Sequence, residues 1–396
     1  METTQLIFVQ AQLGWALALF QGLFVLGLGL SWVLAIWQWL IGTNPQARHS
    51  QTFQSWLGIF SVVFRMVFGF GLVALMVVAI NWPSLFERTG NVLGPALLAL
   101  VVVAFLAKTV FFRVMMHQHG KVSEAVYTFS VLGLAVCYTA IVAGWVVMDV
   151  WLRDPVGASL IDGRFQVLDA RAIFLNEQVS WQLAMTLLGA LLATVGWLVA
   201  RLQYTLSPKL YKGLCLLGGV AAVLIVPMTD VSVARLLPDG PSLVGLLMAR
   251  DLSPTLPTAM TMVVVLRVTF VMALLYLTLM VIAFLCRGDR DLSDRHLNDS
   301  PPQRQGYVRY LPIGLFVLGP LLWAGLWLVT YLSKGNDVVV NHLSFADLVN
   351  SHSMVVLWIS AGFLLLATVT IVVGLWHGLS DKTGAIKLSD ASEVAA

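Results

Sequence analysis

Nine long apolar runs dominate this chain, near residues 14–41, 56–81, 92–116, 125–151, 179–200, 211–228, 258–286, 309–332 and 352–377. Each approaches or exceeds the roughly 20 residues that a helix needs to cross about 30 Å of hydrocarbon. Lipid offers no water to a backbone N–H or C=O, and a helix closes its hydrogen bonds within one run. The sequence therefore predicts an all-α polytopic membrane protein, a single nine-span transmembrane domain over residues 1–396. Composition agrees: 59% of the residues are apolar and 11% charged, against about 25% charged in soluble domains. A net charge of +3 and the lack of any basic stripe leave nucleic acid out as a partner. Membrane lipid and partner subunits are the expected contacts.

Orientation follows from Lys and Arg in alternate loops, since cytoplasmic loops carry the excess. One set holds 13: Arg48, Arg113, Lys121, Arg201, Lys209, Lys212, Arg287, Arg290, Arg295, Arg304, Arg309, Lys382 and Lys387. The opposite set holds 7: Arg88, Arg153, Arg164, Arg171, Arg235, Arg250 and Lys334. This places the C-terminus in the cytoplasm and, with nine spans, the N-terminus outside. Residues 152–178 and 229–257 are then outer loops, residues 287–308 a cytoplasmic loop and residues 381–396 a cytoplasmic tail. No Lys or Arg precedes the first run, so the basic start of a secretory signal is lacking, and the first segment is expected to remain. Leu6 to Trp15 carries Gln10 and Gln12 and would over-lengthen the first helix; it is expected to lie along the interface.

Three cations fall inside spans, Arg65, Lys108 and Arg267. Ionisable side chains at depth are costly and point to function or a partner. Arg65 and Lys108 either snorkel to the interface or pair with a carboxylate on another subunit. Trp37, Trp39, Trp145, Trp151, Trp323 and Trp327 read as interfacial anchors. Gly27, Gly29, Gly69, Gly71, Gly218 and Gly219 read as points of close helix approach. Cys137, Cys215 and Cys286 lie in or at the ends of apolar runs without metal-ligand spacing, which assigns them to packing.

Several segments, in order, resemble subunit I of the cytochrome bd quinol oxidases. They are Leu23-Phe24-Val25 and Gly29-Leu30-Ser31 in the first span, Asn81-Trp82 closing the second, Gly90 and Gly94 opening the third, and Trp151-Leu152-Arg153-Asp154-Pro155-Val156-Gly157-Ala158 after the fourth. Arg267 and the stretch from Ala324-Gly325 to Tyr331 fall in register too. The resemblance implies the same nine-span fold and orientation, in a bacterial cytoplasmic (inner) membrane and a respiratory chain.

Subunit I of that family holds three hemes, oxidises quinol and reduces oxygen. The ligands that the resemblance calls for are replaced here. The heme-ligating His of the first span is Gln21, that of the fifth is Leu183 (Gln182 if the register slips by one), and the Met paired with it is Thr269. Two Glu of the third span, eight residues apart on one face, are Leu100 and Lys108, and a third on the eighth span is Trp323. The quinol-binding loop is cut to about 30 residues, and the motif after the eighth span reads Leu332-Ser333-Lys334-Gly335-Asn336. The seven His, at 49, 117, 119, 296, 342, 352 and 377, all map to loops or span ends. The resemblance thus implies a degenerate paralogue with no catalytic or metal-binding residues and no cofactor of its own. Such a chain would pack against a heme-bearing subunit I that carries heme b and heme d, with room for a small single-span subunit. Two other readings stay open: an active oxidase subunit with unconventional ligands, and a transporter or channel that uses Arg65, Lys108 and Arg267 for an anion.

Overall fold

The structure, a computed structural model, describes residues 3–41, 51–117, 121–202, 208–236, 257–293, 311–332, 337–339, 343–344 and 354–380. Nine long helices are present among the described residues, matching the nine runs. They are α1 (Thr3–Ile41), α2 (Gln51–Asn81), α3 (Pro83–Leu106), α5 (Glu124–Arg153), α7 (Glu177–Leu202), α8 (Pro208–Leu236), α9 (Pro257–Ser293), α10 (Leu311–Leu332) and α11 (Met354–Ser380). A π-helical turn, Ala107–Phe112, and the short α4 (Arg113–His117) continue α3. Among the described residues, six helices are long and apolar enough to cross a membrane, and shorter apolar stretches lie at Tyr211–Ile225, Val317–Val329 and Trp358–Thr370. Leu98, Phe105, Leu216, Val271, Phe363 and Leu365 are exposed, as expected of helices solvated by acyl chains rather than water.

Two compact units divide the chain, one formed by Met1–Leu183 with Asp337–Ala396, the other by Ala184–Asn336. In the first, α1 packs on α2 and α5, α11 on α2 and α1, and α3 on α5. In the second, α9 packs against both α8 and α10. Helices in lipid gain little from apolar burial against one another, so close backbone approach and hydrogen bonds hold them. Gly319 of α10 brings its backbone against Ala193 of α7, where an added Cβ would come within 2.8 Å of the Ala193 Cα. Nearby, the Tyr276 hydroxyl of α9 donates to the Leu192 carbonyl at 2.8 Å.

Two expectations need correction. Residues 6–15 do not form a separate interfacial segment: α1 runs unbroken for 39 residues. Gln12 does not end the helix, because it is buried and its Oε1 accepts the Ser360 hydroxyl of α11 at 2.8 Å. Gly27, Gly71 and Gly218 are close-approach points, but Gly69 faces open space. It sits on the outward side of α2, where no neighbour arrives.

The loop at 152–178 is built rather than loose. Strands β1 (Ala158–Ile161) and β2 (Arg164–Val167) pair antiparallel through Asp162-Gly163, with φ of 49° and 76°. Asp-Gly is the usual two-residue sequence for a turn that needs positive φ twice. Asp169 then caps α6 (Ala170–Phe174), its Oδ1 accepting from the Arg171 N–H at 2.8 Å. A second strand pair joins β3 (Asp337–Val339) to β4 (Leu343–Ser344). Most of the loops foreseen at 229–257 and 287–308, and the whole tail at 381–396, lie outside the described residues. The N-terminal ends of the two loops are helical, in α8 and α9.

Candidate functional site

The positions to which the resemblance assigns heme ligation and proton handling fall in both units. In the first, Gln21 is buried on α1. A run of aromatic rings begins beside it on α1, at Phe20 and Phe24. Phe20 stacks on Phe24 at 4.9 Å and meets Trp145 edge-on at 5.3 Å. Phe24 reaches Tyr138 at 5.5 Å, and the Tyr138 ring and hydroxyl take up the space that a Gly27 side chain would need. Phe64 lies between Tyr138 and Phe112, stacking on Phe112 at 4.4 Å with 13° between the planes. Four elements, α1, α2, α5 and the π-turn, thus close on one another through side chains.

Leu100 and Lys108 part company. Eight residues at 100° per residue leave about 80° between two side chains, and each finds a different neighbour. Leu100 packs onto α5, its Cδ2 2.7 Å from where a Gly144 Cβ would stand. Lys108, exposed on the π-turn, holds its Nζ 5.7 Å from the Phe68 ring centroid of α2. On α7, Gln182 is buried and Leu183 half-buried.

In the second unit, Thr269 is buried on α9 and its hydroxyl donates to the Val265 carbonyl at 2.8 Å. Its side chain also closes on Gly325 of α10. Trp323, 2% exposed, lies with its ring across Gly189 of α7, where any side chain would collide with the indole. An axial heme ligand must be a strong donor such as imidazole, thiolate or thioether. An amide at Gln21, an alkyl chain at Leu183 and a hydroxyl already bound at Thr269 do not fit that role, and the indole of Trp323 is no carboxylate. Of the seven His, His117 is exposed at a helix end; the other six side chains lie outside the described residues. Among the described residues, no group of three or more His, Cys, Asp or Glu is placed to hold a metal ion.

Arg65 is exposed on α2 and makes no ion pair among the described residues. Arg267, exposed on α9, has a contact of its own. A pair that sequence reasoning missed lies at the end of α5. Arg153 Nη2 donates to Asp149 Oδ2 at 2.5 Å, with both side chains under a tenth exposed. The i,i+4 spacing of an acid and an arginine was the available signal. Arg153 lies in the Trp151-to-Ala158 motif, which is tied to the residues that follow it. Trp151 meets Phe165 edge-on at 5.1 Å, Asn176 donates to Asp154 at 3.1 Å, and the Gly157 carbonyl accepts from the Leu168 and Asp169 N–H groups at 2.9 and 3.0 Å.

Comparisons with known proteins agree with this layout. The family model for cytochrome bd terminal oxidase subunit I matches residues 9–241. A cytochrome bd ubiquinol oxidase subunit 1 of Bacillus subtilis (strain 168) is 22% identical over 190 residues, covering 46% of this chain and 39% of that protein. The match therefore spans well under half of that relative's length. Among solved structures, a chain of the bd oxidase from Geobacillus thermodenitrificans superposes with a TM-score of 0.72 at 13% identity, over 95% of this chain and 98% of that one. That likeness establishes the nine-helix fold, and with the family match over more than half of the residues it follows that this chain belongs to the cytochrome bd terminal oxidase subunit I family.

Proposed function

We propose that this chain is a heme-free, non-catalytic membrane subunit of a cytochrome bd-type quinol:oxygen oxidoreductase complex. In this reading it packs against a heme-bearing subunit I, which supplies heme b and heme d. The observation that carries the reading is the Thr269, Trp323 and Gly189 arrangement. A ligand position holds a hydroxyl committed to its own helix, and a carboxylate position holds an indole seated on a glycine. A large polar cavity inside a span is costly, and here the Trp323 ring packs onto Gly189 and the Thr269 side chain onto Gly325. The aromatic rings packed between α1, α2, α5 and the π-turn support the same reading in the first unit. The role left to such a chain is to complete and seal the assembly.

The test is a pyridine hemochrome assay on the chain purified alone, with a complex isolated through it as the positive control. The expected result is no heme on the isolated chain and heme bands in the complex that belong to another polypeptide. One heme per isolated chain sinks the reading, and substitution of His117, His119, His352 and His377 would then locate the ligand.

A further inference from the structure

We infer that the outward face of α2 around Arg65, with Lys108 beside it, seats a transmembrane helix of a different polypeptide that carries an Asp or Glu carboxylate at mid-membrane. The two cations form one patch. Lys108 Nζ rests over Phe68 at 5.7 Å, Phe68 follows Arg65 by three residues on the same helix face, and both cations are exposed. Depth is the decisive point. Phe68 lies 12 residues from Trp56 and 13 from Asn81, the two ends of the second apolar run, about 18–20 Å along α2 from each. An ammonium held against that ring is turned to the middle of the span, beyond the reach of lipid phosphate. A ring face attracts a cation, yet it accepts none of the three hydrogen bonds that an ammonium donates.

The chain cannot neutralise this patch with a second copy of itself. Of its 20 acidic residues only Asp149 falls inside an apolar run, two residues from the end of that run, and it is bound to Arg153. The carboxylate has to come from another polypeptide. The shape of α2 suits a helix: Gly58, Arg65, Gly69, Leu72 and Met76 are all exposed on one side, and no atom stands within 4 Å of a Cβ placed on either glycine. Low ridges of this kind let a second helix come close. The π-helical turn that carries Lys108 is a rare conformation found mostly at functional positions.

This proposal rests on the preceding one only in requiring a partner subunit. The test uses the complex isolated from native membranes through this chain and treated with dicyclohexylcarbodiimide, a hydrophobic reagent that joins a carboxylate to an amine in contact as an amide. Peptide mass spectrometry should find Lys108 coupled to an Asp or Glu within an apolar segment of another polypeptide. Lys108→Arg should abolish the coupling while the complex is still recovered, since a guanidinium keeps the charge without forming the amide. Arg65→Glu combined with Lys108→Glu should lower recovery of that polypeptide at least tenfold. The proposal fails if Lys108 stays uncoupled in an intact complex, if it couples to lipid or a second copy, or if no partner polypeptide is recovered. Heme on the isolated chain would sink the preceding reading and leave the coupling result standing.

Discussion

Trp323 is a single residue at which the resemblance and the structure can be compared. The resemblance puts a carboxylate there; the structure puts a buried indole across Gly189. The substitution and the glycine work together, because any side chain at 189 would strike the ring. Trp323→Ala should lower stability by about 3–5 kcal/mol, the range for truncating a large buried ring, read as a fall in thermal unfolding temperature in detergent. A change no larger than that of an exposed substitution such as Leu216→Ala would show that the ring does not fill a needed volume. The bulk of the residue at 323 was legible in the sequence. The glycine that receives it was not, because Gly189 has no feature in one dimension that distinguishes it from the other glycines.

At the scale of elements, the C-terminal end of α5 and the hairpin after it act as one piece. Trp151, Phe165, Asp154, Asn176 and Gly157 interlock there, over the buried Asp149–Arg153 pair. Removing one member takes the buried counter-charge from the other, so Asp149→Ala should cost about 3–5 kcal/mol, while Asp149→Leu with Arg153→Met should recover most of it. Thermal unfolding of the single and double variants is the check; equal losses for both would mean that the pair is not coupled. By contrast, the bond between Arg164 and Glu87 at 3.0 Å is well exposed on both sides and should matter little. The Asp-Gly turn could be read directly from sequence. The unbroken α1 and the π-turn could not. Whether a glutamine ends a helix depends on a partner 348 residues away in Ser360, and the π-turn is bound up with packing, with Phe111 lying over Gly133 and Phe112 stacked on Phe64.

At the scale of the whole molecule, the chain is a multi-pass protein of the bacterial cytoplasmic membrane, of a family that serves respiratory electron transport. The excess of Lys and Arg in alternate loops predicts its orientation. Reporter fusions after Arg48, Lys212 and Lys387 should report cytoplasm, and fusions near Arg164 and Lys334 the outside; the reverse pattern would overturn that assignment. The number of long helices, their all-α class and the family were determined by the sequence alone, because lipid forces each apolar run to satisfy its own backbone and hydropathy is a local property. Which side chains meet was decided only by the tertiary structure. Lys108 of the π-turn comes to rest beside Phe68 of α2, one turn on from Arg65, and Leu100 and Lys108 turn to different neighbours. The physical reason is that contact between helices depends on rotation and axial offset, which small residues and single hydrogen bonds set after the spans have formed.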